Sequence, residues 1–139
     1  LQKEAEFLAD KLVAASKTGT PWGEMALIYR RYGVGKVLAE VLQRRDIPFQ
    51  WQQAKGAAYS PMHDSVKLIT MHSSKGLEFS LVGIPGLGAE FKEEDIVEDE
   101  ARLLYVAMTR ATHELVMTCD GVTPHTDKLK RAMTVLETM

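Results

Sequence analysis

The chain contains a single cysteine, Cys119, among its 139 residues. One thiol cannot build a disulfide framework or a cysteine-based zinc site, and this scarcity favours a reducing, cytoplasmic setting. No apolar run approaches the roughly 20 residues that span a bilayer, and no signal peptide opens the chain, so we expect no membrane partner. The formal charge of −2 argues against a protein coated in positive potential, but it leaves room for a basic groove on one face.

The composition is that of a globular protein, with 45% hydrophobic and 26% charged residues and no low-complexity tract. The length indicates one domain over residues 1–139, large enough to bury its own core. The chain begins at Leu1 rather than at a methionine, so we expect it to be a piece of a longer polypeptide.

Short apolar runs alternate with helical repeats along the sequence. The apolar runs predict strands at 25–30, 47–51, 66–70, 80–85 and 114–119. The repeats predict helices at 1–16, 34–45, 98–111 and 128–138, with a polar loop at 52–65 and an acidic loop at 86–100. This alternation predicts an α/β fold of three layers, with a mostly parallel central sheet covered on both faces. Ligands of such sheets bind beyond the carboxyl ends of the strands.

The string GVGKV at 33–37 superficially resembles a phosphate-binding loop. The complete pattern requires a glycine five residues before the Gly-Lys pair and a hydroxyl directly after it. Arg30 and Val37 occupy those two positions, so the chain has no Walker A loop and no magnesium-binding hydroxyl of that kind.

A serine hydrolase built from Asp64, Ser65 and His72 is not supported, because the Gly-x-Ser-x-Gly elbow is absent. The histidines also lack ligand spacing joined to carboxylates, so we expect no metal site. They are His63, His72, His113 and His125.

Four residues near predicted element ends have both a structural and a functional interpretation. Arg110 suits the carboxyl end of a helix, where it stabilises by roughly 0.3–1 kcal/mol, but a guanidinium could also reach a phosphoryl group. In the structural interpretation, Tyr29 belongs to the core and Arg30 is solvated. In the functional interpretation, the ring of Tyr29 stacks on a base and Arg30 contacts a phosphate. Glu78 is a first-turn helix acid or an acceptor for a sugar hydroxyl.

Three strings together resemble the UvrD/Rep-like superfamily 1 helicases. LITMHSSKGLEFSLVGIPGLG is similar to their motif V, and EDEARLLYVAMTRATHELVMT is similar to their motif VI. MALIYRRYGVGKVLAEVLQRRDIPF resembles motif IV, and the three strings occur in the family order over about half the chain. The resemblance implies the second RecA-like motor domain of such a helicase, usually called 2A.

The resemblance also implies a set of ATP contacts. Tyr29 would stack on the adenine, Arg30 would contact the γ-phosphate and Glu78 would bind the ribose. Arg110 would be the arginine finger that stabilises charge on the transferred phosphoryl group. Arg102 would support the interface near the nucleotide.

Further residues of the motif V string take roles by the same resemblance. Lys75 and Gly76 would shape the loop that carries the ribose contact. The residues that would lie toward single-stranded DNA are Thr70, His72 and Ser73. This string would thus face DNA at one end and ATP at the other.

The implied function is one half of an ATP-dependent DNA helicase moving 3′ to 5′. Walker A and B elements are missing, so the resemblance implies a partner N-terminal RecA-like lobe that holds most of the Mg²⁺ site. The chain alone should therefore not hydrolyse ATP. Residues 50–65 are too few for the inserted 2B domain of many relatives. The alternative function is a degenerate helicase remnant that binds nucleic acid or a protein without catalysis.

Overall fold

The computed structural model describes residues 1–51, 64–86 and 97–118, with residues 97–101 described by their backbone alone. Within these ranges five strands and three α-helices follow one another along the chain. The helices are α1 (Gln2–Lys17), α2 (Tyr32–Arg44) and α3 (Val97–Met108). The strands are β1 (Met25–Tyr29), β2 (Phe49–Trp51), β3 (Val66–Thr70), β4 (Phe79–Ile84) and β5 (Ala111–Met117). Short 3₁₀ helices occupy Trp22–Glu24 and His72–Ser74.

The five strands form one sheet in the order β2-β3-β1-β4-β5, and every pairing is parallel. All strands therefore end at one side of the sheet, here called the carboxyl edge, and begin at the opposite side, the amino edge. In the register of β1 and β3, Tyr29 pairs with Thr70, so these two residues end their strands side by side.

Two separate hydrophobic clusters show that both faces of the sheet are covered. One cluster packs α1 and α2 against alternate strand residues that include Leu27 and Leu68. The other packs Leu104 and Ala107 of α3 against the intervening residues, among them Ile28. The predicted three-layer α/β arrangement with a parallel sheet is confirmed. Among the described helices, none has the length and apolar character needed to cross a membrane.

Several element boundaries differ from the sequence prediction by one to three residues. The second helix begins at Tyr32 rather than at position 34, and α3 ends at Met108 rather than at position 111. The last strand begins at Ala111 rather than at position 114, because the chain joins the sheet directly after α3. The predicted closing helix at 128–138 and most of both predicted loops lie outside the described residues.

A buried lysine in β3 lies beside the partner strand β2. Lys67 is fully buried, and its ammonium group donates to Gln50 Oε1 at 2.7 Å and to Ser65 Oγ at 3.1 Å. Burial lowers the pKa of Lys67 below its ordinary value of 10.5, although the nearby Asp64 carboxylate acts in the opposite direction. The charged form of this lysine is therefore disfavoured in the folded chain relative to the unfolded chain.

Replacing Lys67 by methionine tests this effect through pH. Between the lowered folded pKa and the ordinary unfolded pKa, the unfolded chain binds more protons, so wild-type stability rises with pH in that window. We expect the unfolding free energy of the wild type, measured relative to Lys67→Met, to increase as the pH is raised from neutral toward the ordinary lysine pKa of 10.5. Urea unfolding of both proteins across that range measures it. A difference that stays constant or decreases with pH would contradict a lowered pKa.

Candidate nucleotide and strand site

The segment between β3 and β4 runs across the sheet from one edge to the other. Thr70 ends β3 at the carboxyl edge and Phe79 begins β4 at the amino edge, so residues 71–78, here called the crossing segment, span the second face. Met71 fixes its start, because the side chain is fully buried and its N–H donates to the Tyr29 carbonyl at 2.9 Å. The Ser74 hydroxyl, also buried, donates to the Met71 carbonyl at 2.7 Å.

The polar residues of the crossing segment point away from this buried anchor. His72, Ser73, Lys75, Gly76 and Glu78 are all exposed. Gly76 has a φ of +79°, a left-handed conformation that glycine adopts without the steric cost of a side chain. The segment therefore turns at Gly76 while its buried residues hold it on the sheet.

At the amino edge, Arg110 is held by backbone carbonyls on two sides. Its Nε donates to the Val106 carbonyl at 3.0 Å, and its Nη1 donates to the Leu77 carbonyl at 3.3 Å. The Phe79 N–H in turn donates to the Arg110 carbonyl at 2.8 Å. These bonds join Arg110 to Leu77 and Phe79, the residues on either side of Glu78, so the structure brings Arg110 and Glu78 to the same edge of the sheet.

Glu78 borders a small hollow of about 180 Å³ at the same edge. The hollow is lined by Gly23, Glu24, Glu78, Phe79, Ser80 and Thr112. An ionised carboxylate accepts hydrogen bonds and donates none. An exposed glutamate here therefore suits a ligand hydroxyl. Arg110 does not line the hollow, but its carbonyl is bonded to the Phe79 N–H, which places a positive residue at the same edge.

At the carboxyl edge, Thr70 and Ser73 hold each other. The Thr70 hydroxyl donates to Ser73 Oγ at 3.0 Å, and the Ser73 N–H donates to Thr70 Oγ1 at 3.1 Å. His72 lies exposed between them in the sequence. The structure thus brings together the three residues predicted to face a single strand.

Tyr29 lies inside the protein rather than in a site. Only 2% of its surface is exposed, and its hydroxyl accepts a hydrogen bond from Trp51 Nε1 at 2.7 Å. Its ring lies against Gly35, where a Cβ atom would come within 2.6 Å of the tyrosine Cζ. Burial raises the pKa of Tyr29, and the hydrogen bond from Trp51 opposes this effect. With its ring covered, Tyr29 has no face open to an adenine in this arrangement.

Arg30 and Arg110 lie at opposite edges of the sheet. Met25 of β1 pairs with Leu81 of β4. Glu78 comes three residues before Leu81, and Arg30 comes five residues after Met25, so eight residues separate Glu78 from Arg30 along the strand direction. At about 3.3 Å per residue, these eight residues correspond to about 26 Å along the strands. The expected convergence of Arg30 with Arg110 on one γ-phosphate is therefore not found in this chain, and the separation follows from the parallel pairing of β1 and β4.

Arg102 is exposed on α3. Its predicted role at an interface stays a prediction.

Among the described residues no three His, Cys, Asp or Glu side chains form a candidate metal site. Mg²⁺ is held by carboxylates together with substrate phosphates. These residues therefore do not fit a Mg²⁺ site by themselves.

Two aromatic residues at the carboxyl edge were not singled out from the sequence. Tyr32, at the start of α2, stacks on Trp51, the last residue of β2, with ring centroids 5.5 Å apart and planes 20° apart. The sequence did contain a signal for Tyr32, because an aromatic residue directly follows Tyr-Arg-Arg at the end of a predicted strand.

Comparison with protein families gives a match over residues 52–120, to the family described as UvrD-like helicase C-terminal domain. This range contains the crossing segment and Arg110, whereas Tyr29 and Arg30 lie outside it.

Curated relatives match over a similar length. The ATP-dependent DNA helicase Rep of Salmonella typhimurium LT2 is 46% identical over 61 residues, which cover 40% of this chain and 9% of that protein. The ATP-dependent DNA helicase PcrA of Bacillus subtilis 168 is 42% identical over 62 residues, covering 40% of this chain and 8% of that protein. The match thus spans less than a tenth of the length of these relatives.

One solved structure shares the fold over most of the chain. It is the C-terminal domain of a possible DNA helicase from Lactobacillus plantarum WCFS1, with a TM-score of 0.68 and 22% sequence identity. The superposition covers 89% of this chain and 71% of that structure. At 22% sequence identity, this similarity shows a shared fold and nothing more.

Proposed function

Because the chain belongs to the UvrD/Rep-like helicase C-terminal domain family, we propose that it is the C-terminal motor domain of an ATP-dependent DNA helicase. In this proposal it forms one wall of an ATP site and part of the track for single-stranded DNA. Walker A and B elements and the carboxylates that hold Mg²⁺ belong to an N-terminal RecA-like lobe of the same polypeptide. The 139 residues form a single domain without an inserted 2B domain, and they do not turn over ATP alone.

One observation carries the proposal. The crossing segment joins two polar clusters at opposite edges of the sheet. Its Leu77 carbonyl accepts a hydrogen bond from Arg110, and the residue that follows the segment, Phe79, donates its N–H to the Arg110 carbonyl. A motor has to link a nucleotide site to a strand site. A segment that buried Met71 and Ser74 hold on the sheet, between two exposed clusters, supplies that link.

The nucleotide side is the amino edge. Arg110 acts as the arginine finger, since a guanidinium held by two carbonyls is aimed before phosphoryl transfer begins. Glu78 accepts a ribose hydroxyl, and Lys75 with Gly76 shapes the turn that presents it. Arg102 supports the contact with the N-terminal lobe. ATP, when bound, supplies the γ-phosphoryl group whose transfer to water drives the cycle.

The strand side is the carboxyl edge. Thr70, His72 and Ser73 face the backbone of single-stranded DNA, which makes binding tolerant of sequence and sensitive to salt. His72 and Ser73 donate to the phosphates, and Thr70 orients Ser73 through the hydrogen bond that it donates to Ser73 Oγ. Arg30 joins this strand-facing set, because it follows β1 at the same edge as Thr70. Tyr29 supports the edge from within through its bond to Trp51.

Coupling follows from differential binding. Contacts of Arg110 that are strong with ATP and weak with the products favour closure of the two lobes before hydrolysis and relaxation after it. The crossing segment carries that change to Thr70 and Ser73, which hold the strand. The protein thus binds the strand tightly and weakly in alternation as the lobes close and open. This alternation is the basis of translocation, in the 3′ to 5′ direction expected for the family.

Replacing His72 by alanine in the full-length protein tests the strand side. We expect DNA-stimulated ATP turnover to fall more than basal turnover, because the lost donor contacts the strand and not the nucleotide. Turnover with and without oligothymidylate measures the ratio. The matched histidine change His113→Ala, in β5 at the amino edge, is expected to leave that ratio unchanged. Equal loss of basal and stimulated turnover in His72→Ala would contradict a contact between His72 and single-stranded DNA.

A further inference from the structure

Tyr32 presents an open aromatic face at the carboxyl edge. Its surface is 60% exposed, although one side of its ring stacks on Trp51 at 5.5 Å. Trp51 is fixed in turn, because its Nε1 donates to the buried Tyr29 hydroxyl at 2.7 Å. The three rings therefore form a supported platform of which Tyr32 is the outer member.

This support matters for binding. A ring that is already held in one orientation loses little conformational entropy when a ligand stacks on it. Single exposed aromatic residues are common on protein surfaces and need no explanation. A solvent-facing tyrosine stacked on a hydrogen-bonded tryptophan is a different case, because its position is set by the core.

The surroundings of the platform favour a nucleic-acid strand. Arg31 precedes Tyr32 and Lys36 follows it by one helical turn, which places Lys36 on the same face of α2. Both basic side chains are exposed. Strand β3 lies between β2 and β1, where Thr70 pairs with Tyr29 and follows by two residues the Leu68 that pairs with Trp51. Hydroxyl donors, positive charge and an aromatic face thus meet at one edge.

We propose that Tyr32 is a nucleobase-stacking residue of the single-strand track, with the adjoining phosphates close to Arg31 and Lys36. The proposal rests on the proposed function, since it assigns the base contact of the same strand-facing edge. Base stacking on an aromatic side chain tolerates any sequence, because every base has a π-face. Tyr32 thereby complements donors that contact only the strand backbone.

A nucleobase also occurs in ATP, and the geometry argues against that source. Tyr32 begins α2 two residues after Arg30 at the carboxyl edge, whereas Glu78 and Arg110 precede β4 and β5 at the amino edge. The test therefore includes ATP as a separate ligand.

The experiment measures binding by the full-length protein to three ligands. They are oligothymidylate, the same oligomer with abasic sites throughout, and a non-hydrolysable ATP analogue. Removing one base stack costs about 1–3 kcal/mol, so Tyr32→Ala is expected to bind oligothymidylate about 5- to 150-fold more weakly. Its affinities for the abasic oligomer and for the ATP analogue are expected to equal those of the wild type.

Three further variants separate stacking from packing. Tyr32→Phe keeps the aromatic face and should retain wild-type affinity. Tyr32→Leu covers Trp51 without a π-face and should lose the same affinity as Tyr32→Ala, which keeps the test valid if the alanine variant unfolds. Tyr105→Ala removes a tyrosine of similar exposure on α3 and should bind as the wild type does.

The contradicting results are distinct from those for the proposed function. Unchanged oligothymidylate binding by Tyr32→Ala and Tyr32→Leu overturns this inference alone, as does equal weakening for the abasic oligomer. Weakened binding of the ATP analogue instead of the strand assigns the ring to the nucleotide and also overturns it. A wild-type protein that binds no oligothymidylate contradicts both this inference and the strand half of the proposed function.

Discussion

Arg110→Ala in the full-length protein is expected to lower the rate of ATP turnover by about 10³- to 10⁵-fold, the range for losing an arginine finger. The reason is geometric. Its guanidinium is held by the carbonyls of Val106 and Leu77, and in the proposed role a group held in this way needs little reorganisation when the phosphoryl group transfers. Steady-state phosphate release at saturating ATP and DNA measures the effect.

Controls separate the finger from a structural role of Arg110. Arg110→Lys keeps the charge but loses the planar fork of donors, so it should remain far below the wild type. Arg44→Ala removes a surface arginine that pairs with Glu6 across α1 and α2, and it should leave turnover unchanged. Thermal unfolding checks that each variant folds. A folded Arg110→Ala that turns over ATP at the wild-type rate would refute the assignment.

Met71→Ala is expected to destabilise the chain by about 2–5 kcal/mol, the usual cost of truncating a buried methionine in a packed core. Met71 is fully buried within the cluster that contains Ile28, Ile69 and Leu104. Because it anchors the start of the crossing segment, the cavity would loosen the link between the two edges as well as the core. Urea unfolding measures the loss.

The matched variant is Met71→Leu, which nearly conserves volume and should cost less than about 1.5 kcal/mol. A cost below about 1 kcal/mol for Met71→Ala would mean that the segment collapses into the space and is not rigidly anchored.

The sequence was sufficient to predict the sheet and its layers, for physical reasons visible in the residues. Strands β1 and β3 are nearly continuous apolar runs, as expected for strands buried on both faces. The start of β5 escaped prediction because Thr112, His113 and Glu114 are exposed and lack an apolar signal. The first turn of α2 escaped for the same reason, since Tyr32 and Gly33 face solvent.

The positions of the candidate residues, as distinct from their roles, were predictable in part. The string from Thr70 to Glu78 indicated two ends with different roles, and the crossing segment gives those ends opposite edges. The position of Arg30 relative to Arg110 could not be inferred from the neighbouring residues, because it is determined by the register of β1 with β4. Tyr29 is buried because Gly35 leaves room for its ring, a contact between residues whose spacing carries no signal.

Hydrogen exchange of the full-length protein, with each ligand separately, tests the division between the two edges most directly. A non-hydrolysable ATP analogue should protect amides around 76–79 and 109–112, whereas oligothymidylate should protect those around 30–33 and 70–73. Protection of residues 30–33 by the ATP analogue, with none near Glu78 and Arg110, would place the nucleotide at the carboxyl edge and contradict the proposed motor geometry.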